Sequence, residues 1–270
     1  MTIVNTRGEI SQNLRRLGVN PGDALMVHAS LRAIGPVESG ADGVLDAIES
    51  AVGSGGTLLM TLGAKDDWDW VNDRPEDQRE ALLASAEPFD PWQTPADPDV
   101  GHLAEVFRRR PGTSVTDNPE GRFGARGARA HELLRDAPWH DYYGPDSPLD
   151  RFCRLGGRVL RLGADLDTVT LLHWAEYLAD VPGKRRVHRH RRVTGPSGAE
   201  IRHVDCLDDS DGIVEWRGED YFALILRAYL ATAAARRGRV GGAPSELIEA
   251  ADLVAFGVRW MNEHLGARAQ

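Results

Sequence analysis

The sequence predicts an α/β fold: a central, largely parallel sheet flanked by helices, with an additional antiparallel element in the C-terminal half. Three observations carry this. A strand–helix–strand pattern occupies residues 24–61, a strand at 157–163 runs on into a helix, and two strand-like segments follow at 184–193 and 201–209. A chain of 270 residues suits a single domain over 1–270, and no internal repeat or clean linker divides it.

In order, Ile10, Leu14 and Leu17 recur at helical spacing and Gly18 closes that helix. The turn Asn20-Pro21-Gly22-Asp23 leads into the apolar run from Ala24 to His28, a buried strand. Asp42 begins a helix to Val52 with Val44, Leu45 and Ile48 inward, and after Gly53-Ser54-Gly55-Gly56 a second strand covers Thr57 to Thr61. Such a unit implies parallel pairing. Residues 64–100 hold five prolines, eight aspartates, Asp66, Asp67 and Asp69 among them, and three tryptophans with little periodicity, which marks a functional loop. A helix over Leu103–Arg109 follows, then the irregular DNPEGRFGARG, a helix over Ala128–Arg135 and the loop WHDYYGPDSPLDRF. Gly157 to Gly163 is a strand, followed at Asp167 or Thr168 by the helix TVTLLHWAEYLAD. KRRVHRHRRV and IRHVDCLDD pair as an antiparallel element, and helices over Asp220–Arg237 and Ala250–Leu265 finish the chain.

Composition narrows the function. Hydrophobic residues make up 41% and charged residues 27%, the balance of a globular protein. No apolar run reaches the ~18 residues of a membrane helix. The opening MTIVNTRGEISQ lacks a basic-then-apolar signal, so a cytoplasmic location is expected. Cys153 and Cys206 fall in no metal or redox spacing and are read as free thiols. A net charge of −9 argues against nucleic acid as a partner and makes polycations plausible ligands.

Three segments can carry chemistry. In DTVTLLHWAE, His173 stands in the second turn of a helix that starts at the carboxyl end of a strand, where α/β proteins bind ligands. Imidazole there suits a general base; the plain alternative is a core histidine satisfied by a carbonyl. Glu176 lies three residues on, and a metal set with His188 and His190 is conceivable, but the arginines around those histidines favour a solvated basic strand and no metal. Acidic residues cluster at Asp205, Asp208, Asp209 and Asp211 and at Asp66, Asp67 and Asp69, beside aromatic rings, a composition that suits a polyammonium ligand or two solvated turns. In VHASLRAIG, Ser30 and the amides after it could cradle phosphate with Arg32 adding charge. Neither GxGxxG, GxxxxGK[ST] nor GxSxG occurs.

The segment VHASLRAIG, the helix after it and GSGGTLLM resemble the opening of the aminoglycoside 3-N-acetyltransferases. The likeness continues through EPFDP, FRRRPGT, DNPEGRFGARG, GPDSPLDR, the stretch around LLHWAEYLAD and LVAFGVRWMNEHLG, so it spans nearly the whole chain in order. It implies an acetyl-CoA-dependent, non-GNAT α/β enzyme that acetylates the 3-amine of 2-deoxystreptamine drugs by direct transfer. By that resemblance His173 is the catalytic base and Glu219 the glutamate that pairs with it. Asp209, with Asp66, Asp67 or Asp69, holds the drug, and Glu176 belongs to the same acidic side. Ser30, Leu31 and Arg32 together with Asn118, Arg122 and Phe123 build the acetyl-CoA side. The cofactor side thus lies mainly in 24–127, and the catalytic and drug side in 140–270 with loop 64–98. Arg122 replaces a serine common in the family, and loop 64–98 departs most from its relatives. A same-fold acetyltransferase for another amine, a CoA-binding protein without catalysis, and a metal-dependent hydrolase on His173 and Glu176 are the alternatives. A monomer or homodimer is expected.

Overall fold

The computed structural model describes residues 4–266; the first three residues of the segment read for an export signal lie outside it. Helix α1 (Arg7–Leu17) opens with a capping box, Thr6 and Glu9 bonding each other's backbone N–H, and ends at Gly18 in the left-handed region. Strand β1 (Ala24–Ala29), the short α2 (Leu31–Ile34), α3 (Gly40–Val52) and β2 (Thr57–Thr61) follow. After loop 62–101, which contains α4 (Glu76–Leu83), come α5 (His102–Arg109), β3 (Ser114–Val115), β4 (Phe123–Gly127), α6 (Ala130–Leu134), α7 (Pro148–Arg154) and β5 (Arg158–Leu162). The last third holds α8 (Leu172–Leu178), β6 (Arg186–Gly195), β7 (Gly198–Leu207), α9 (Tyr221–Ala231), β8 (Arg236–Val240), β9 (Ala243–Glu249) and α10 (Ala250–His264).

Seven strands form one mixed sheet in the order β3-β4-β2-β1-β5-β9-β8. Its centre, β2-β1-β5, is parallel as the βαβ pattern implies, and antiparallel strands extend it on both sides. Alternation along the central strands builds two cores. Leu25, Val27, Leu58, Met60, Leu160 and Leu162 pack toward α1, α3 and α5. Met26, Leu59 and Val159 pack toward the helices of the other layer. β6 and β7 form a separate two-stranded ribbon with His188 opposite Asp205 and His190 opposite His203. Loop 62–101 lies on that ribbon: Phe89 bridges Val193, and the Asn72 Oδ1 accepts from the His190 N–H at 2.7 Å.

Several expectations change. DNPEGRFGARG contains β4, and SPLDRF forms α7, started by Ser147 as N-cap with Pro148 at the first helical position. The helix expected over 220–237 stops at Ala231, and Arg236–Val240 is an edge strand instead. The helix around His173 begins only at Leu172, which places His173 in its first turn. The basic run 184–193 is not a solvated strand: Arg189, His190 and Arg191 are buried.

Candidate active site

The carboxyl ends of the three parallel strands open onto a cavity of about 680 Å³. Ser30 follows β1, Thr61 ends β2 and Gly163 follows β5, and all three line it. This is where an α/β sheet leaves room for a ligand. Gly163 is needed at its φ of +64°, because a Cβ there would meet the Ala33 Cβ at 2.5 Å. Ser30 caps α2, its Oγ accepting from the Ala33 N–H at 3.3 Å. Leu31 and Arg32 also line the cavity, and Arg32 is exposed with no carboxylate partner among the described residues.

At the inner end of this cavity sits His173. Its Nδ1 lies 2.8 Å from Glu176 Oε2, the i, i+3 spacing of α8 bringing the two side chains together. The Tyr221 hydroxyl donates to Glu176 Oε1, so both carboxylate oxygens are engaged and the group is 1% exposed. The imidazole is stacked on Tyr143 with ring centres 4.7 Å apart, and Phe222 meets it edge-on at 4.8 Å. Burial alone would lower the His173 pKa, but the Glu176 charge and hydrogen bond, assisted by Asp209 and Asp220, raise it above its ordinary value. With Nδ1 committed, Nε2 is the nitrogen available for chemistry.

Beyond His173 the wall becomes acidic. A second cavity of about 310 Å³ shares Asp167, His173, Asp209 and Phe222 with the first and adds Asp211 and Asp220. A third, of about 260 Å³, is lined by Asp66, Asp69, Asp97, Glu120, Arg189 and Arg191 and again reaches Asp209. Asp209 accepts from the Tyr142 hydroxyl at 2.5 Å and from Arg189 at 2.7 Å. Arg191 reaches Asp66 at 3.3 Å, Asp69 at 2.6 Å, and Glu120. Four carboxylates therefore share two guanidinium groups, and the pocket stays net negative. Glu120 is buried, and desolvation, which outweighs the two arginines, raises its pKa.

The predicted residues separate into two sets. Ser30, Leu31, Arg32, His173 and Asp209 line one continuous cleft. Of the three loop aspartates, Asp66 and Asp69 face the acidic pocket, whereas Asp67 is 76% exposed and pairs with Lys65. The carboxylate at His173 is Glu176 rather than Glu219. Glu219 is exposed and held by Arg227, because the turn before α9 points it to solvent. Both oxygens of Glu176 are in turn engaged, by His173 and Tyr221.

Asn118, Arg122 and Phe123 do not line the strand-end cavity. Asn118 braces its own turn, accepting from the Glu120 and Gly121 N–H groups, and Phe123 is fully buried against Tyr143. Arg122, fully buried, donates to the carbonyls of Gly63, Pro91, Thr94 and Pro95 and so pins the loop. Burial, helped by nearby Arg108, brings its pKa down to about 10. Arg189, Arg191, Glu120, Tyr143 and Tyr221 were not predicted. The two arginines follow from period-two alternation in β6, which sends 189 and 191 to one face and 188 and 190 to the other.

A cleft of about 680 Å³ at the strand ends, a histidine–carboxylate pair in its wall and an acidic pocket beyond define a two-substrate group-transfer architecture. The chain belongs to the aminoglycoside 3-N-acetyltransferase family, whose family model matches residues 26–262. Aminoglycoside N(3)-acetyltransferase VIII of Streptomyces fradiae is 42% identical over 269 residues, 98% of this chain and 94% of that protein. Aminoglycoside N(3)-acetyltransferase VII of Streptomyces paromomycinus is 41% identical over 97% of this chain and 93% of its own length. Among solved structures, AAC-IIIb in a binary complex with CoASH superposes with a TM-score of 0.92 at 39% identity, covering 99% of this chain and 100% of that one. AAC-VIa bound to sisomicin superposes at 0.88 with 35% identity, over 97% of this chain and 99% of its own. Among the described residues no helix is long and apolar enough to cross a membrane.

Proposed function

We propose that this chain transfers the acetyl group of acetyl-CoA to the 3-amine of the 2-deoxystreptamine ring of an aminoglycoside. The observation that carries the reading is the position of His173, tied to Glu176 and shared by the strand-end cavity and an acidic one. The amine arrives as an ammonium ion and cannot attack a thioester until it loses a proton. His173 Nε2 takes that proton, while Glu176 fixes the Nδ1–H tautomer and stabilises the imidazolium. The nitrogen then forms a bond to the acetyl carbon as the carbon–sulfur bond breaks. Of the two protons the ammonium gives up in becoming an amide, one ends on the departing sulfur as CoA thiol and the other goes to solvent. Glu176 and Tyr221 are positioning residues in this scheme.

The strand-end cavity suits acetyl-CoA: it holds about 680 Å³, it reaches His173, and the exposed, uncompensated Arg32 stands where a phosphate can be met. Asp209, Asp66 and Asp69 receive the ammonium groups of the drug. Loss of a positioned base is worth ~10²–10⁴ in rate, and holding both substrates together supplies the rest. We divide the chain into a cofactor side, mainly 24–127, and a catalytic and drug side, 140–270 with loop 64–98. The segment 163–170 nonetheless lines the cofactor cavity. The cleft is built by one chain, so a monomer or a homodimer serves equally, and the setting is cytoplasmic.

The test is release of CoA thiol from acetyl-CoA with a panel of aminoglycosides, with and without EDTA, followed by NMR of the product. Acetyl on the 3-amine, insensitive to EDTA, is expected. Turnover only with other amines would reassign the substrate, and binding of acetyl-CoA without turnover would remove the enzymatic reading.

A further inference from the structure

The ribbon face turned away from Arg189 and Arg191 carries a second cluster that the proposed reaction does not use. Register places His188 opposite Asp205 and His190 opposite His203, so four polar side chains share one face in two adjacent cross-strand pairs. The loop contributes Glu76, the first residue of α4, and the donor atoms of Glu76, His188 and His190 lie within 4.8 Å of one another. His188 is already oriented: its Nδ1 is 2.6 Å from Asp205 Oδ1, and its Nε2 is 3.6 Å from Glu76 Oε1. A carboxylate behind one imidazole nitrogen and an open position at the other is the arrangement of a metal-ligating histidine. His190 supplies an independent sign. It is 8% exposed, and its buried Nδ1 has no hydrogen-bond partner. A buried nitrogen left without a partner carries a desolvation cost that a metal ion would remove.

We propose that Glu76, His188 and His190 bind a borderline divalent transition ion of the zinc class, with Asp205 orienting His188. Two imidazoles and one carboxylate suit zinc in preference to magnesium or calcium, which take all-oxygen sets. Arg189 and Arg191, which would repel a cation, point to the other side of the strand. Arg79, hydrogen-bonded to the carbonyls of Arg74 and His188, keeps its charge near His190, and the Glu76 carboxylate acts against it. The ion would tether the start of α4 to the ribbon at His190, which stands between the two arginines of the acidic pocket along β6. It would therefore stiffen the loop that carries Asp66 and Asp69 rather than enter the chemistry.

The test uses untagged full-length protein, stripped with EDTA and dialysed, titrated with Zn²⁺ by calorimetry and followed by native mass spectrometry and thermal melting. One zinc per chain and a Tm rise of several degrees at zinc about 100-fold above Kd are expected. Asp205→Asn should weaken binding about 10–100-fold, the range for losing an orienting carboxylate. His190→Ala should abolish the tight site. Because His190 is buried, Glu76→Gln serves as the variant that leaves the metal-free melt unchanged, and it should weaken zinc at least about 10-fold. No stoichiometric zinc in the parent, or equal affinity in Glu76→Gln and His190→Ala, overturns the assignment. Neither result touches the acetyl-transfer reading, which is decided by the identity of the acetylated amine and not by the rate at which it forms.

Discussion

Replacing Glu176 by Gln changes one charge and almost no volume, which makes it the sharpest probe of the site. Glu176 Oε2 is 2.8 Å from His173 Nδ1, both groups are largely withdrawn from water, and the charge holds the His173 pKa above its ordinary 6.5 against the pull of burial. Two charges about 4 Å apart at an effective dielectric near 20 interact by about 4 kcal/mol, or about three pH units, as an upper limit. Asp209 and Asp220 still favour the imidazolium in the variant, so a downward shift of at least about one unit is expected. His173 acts when neutral, so activity in the parent rises with pH through its raised pKa and levels off above it. The acid limb of kcat/KM should therefore lie above 6.5 in the parent and move to lower pH in Glu176→Gln. The plateau of the variant should fall by ~10²–10⁴, because the base is weaker and its tautomer no longer enforced. Thiol release from acetyl-CoA, read across about pH 5.5 to 9 at saturating drug and at low drug, measures both quantities. An acid limb that stays in place, or a plateau within a few-fold of the parent, refutes the role given to Glu176.

Three further outcomes are expected. Arg32→Ala should raise KM for acetyl-CoA and leave KM for the drug nearly unchanged in steady-state kinetics; the reverse would mean the two substrates occupy opposite ends. Asp209→Asn should raise KM for a deoxystreptamine drug at least ~10-fold, the loss of a desolvated ion pair, with weaker dependence on ionic strength than the parent. Calorimetry with acetyl-CoA alone should not distinguish that variant from the parent. Arg122→Met should lower Tm by several degrees and loosen loop 64–98 in hydrogen exchange, since four carbonyls lose a common donor; a selective rise in KM for acetyl-CoA would restore it to the cofactor site.

The central fold is legible in the sequence because β1 and β2 are apolar runs closed by turn residues and joined by an amphipathic helix, and β5 sets Val159, Leu160 and Leu162 between glycines. The edge is not: RRGRV in β8 has one apolar residue and APSELIE in β9 carries a proline, so neither shows a strand period, and β9 is fixed by pairing with β5. His173 is legible from its place after a strand, and its partner follows from helical geometry, since i, i+3 side chains can touch whereas Glu219 sits beyond a turn whose direction the sequence does not encode. The pairing of Arg189 and Arg191 with Asp66, Asp69 and Glu120 joins segments tens of residues or more apart. A basic run and an acidic loop, each read locally, look solvated; only the packing of the loop onto the ribbon shows that they pair with each other.

The sandwich of His173 between Tyr143 and Phe222, with Nδ1 tied to Glu176, blocks rotation of the ring. One nitrogen must then serve as both entrance and exit for the proton. While the drug nitrogen lies against Nε2, bulk water has no route to the imidazolium, so the proton can pass only to the departing sulfur or wait until the acetylated drug has moved away. Each turnover thus returns the base to its starting state either within the ternary complex or through product release. Solvent and buffer catalysis of the recharging step is confined to the interval when the drug side is open.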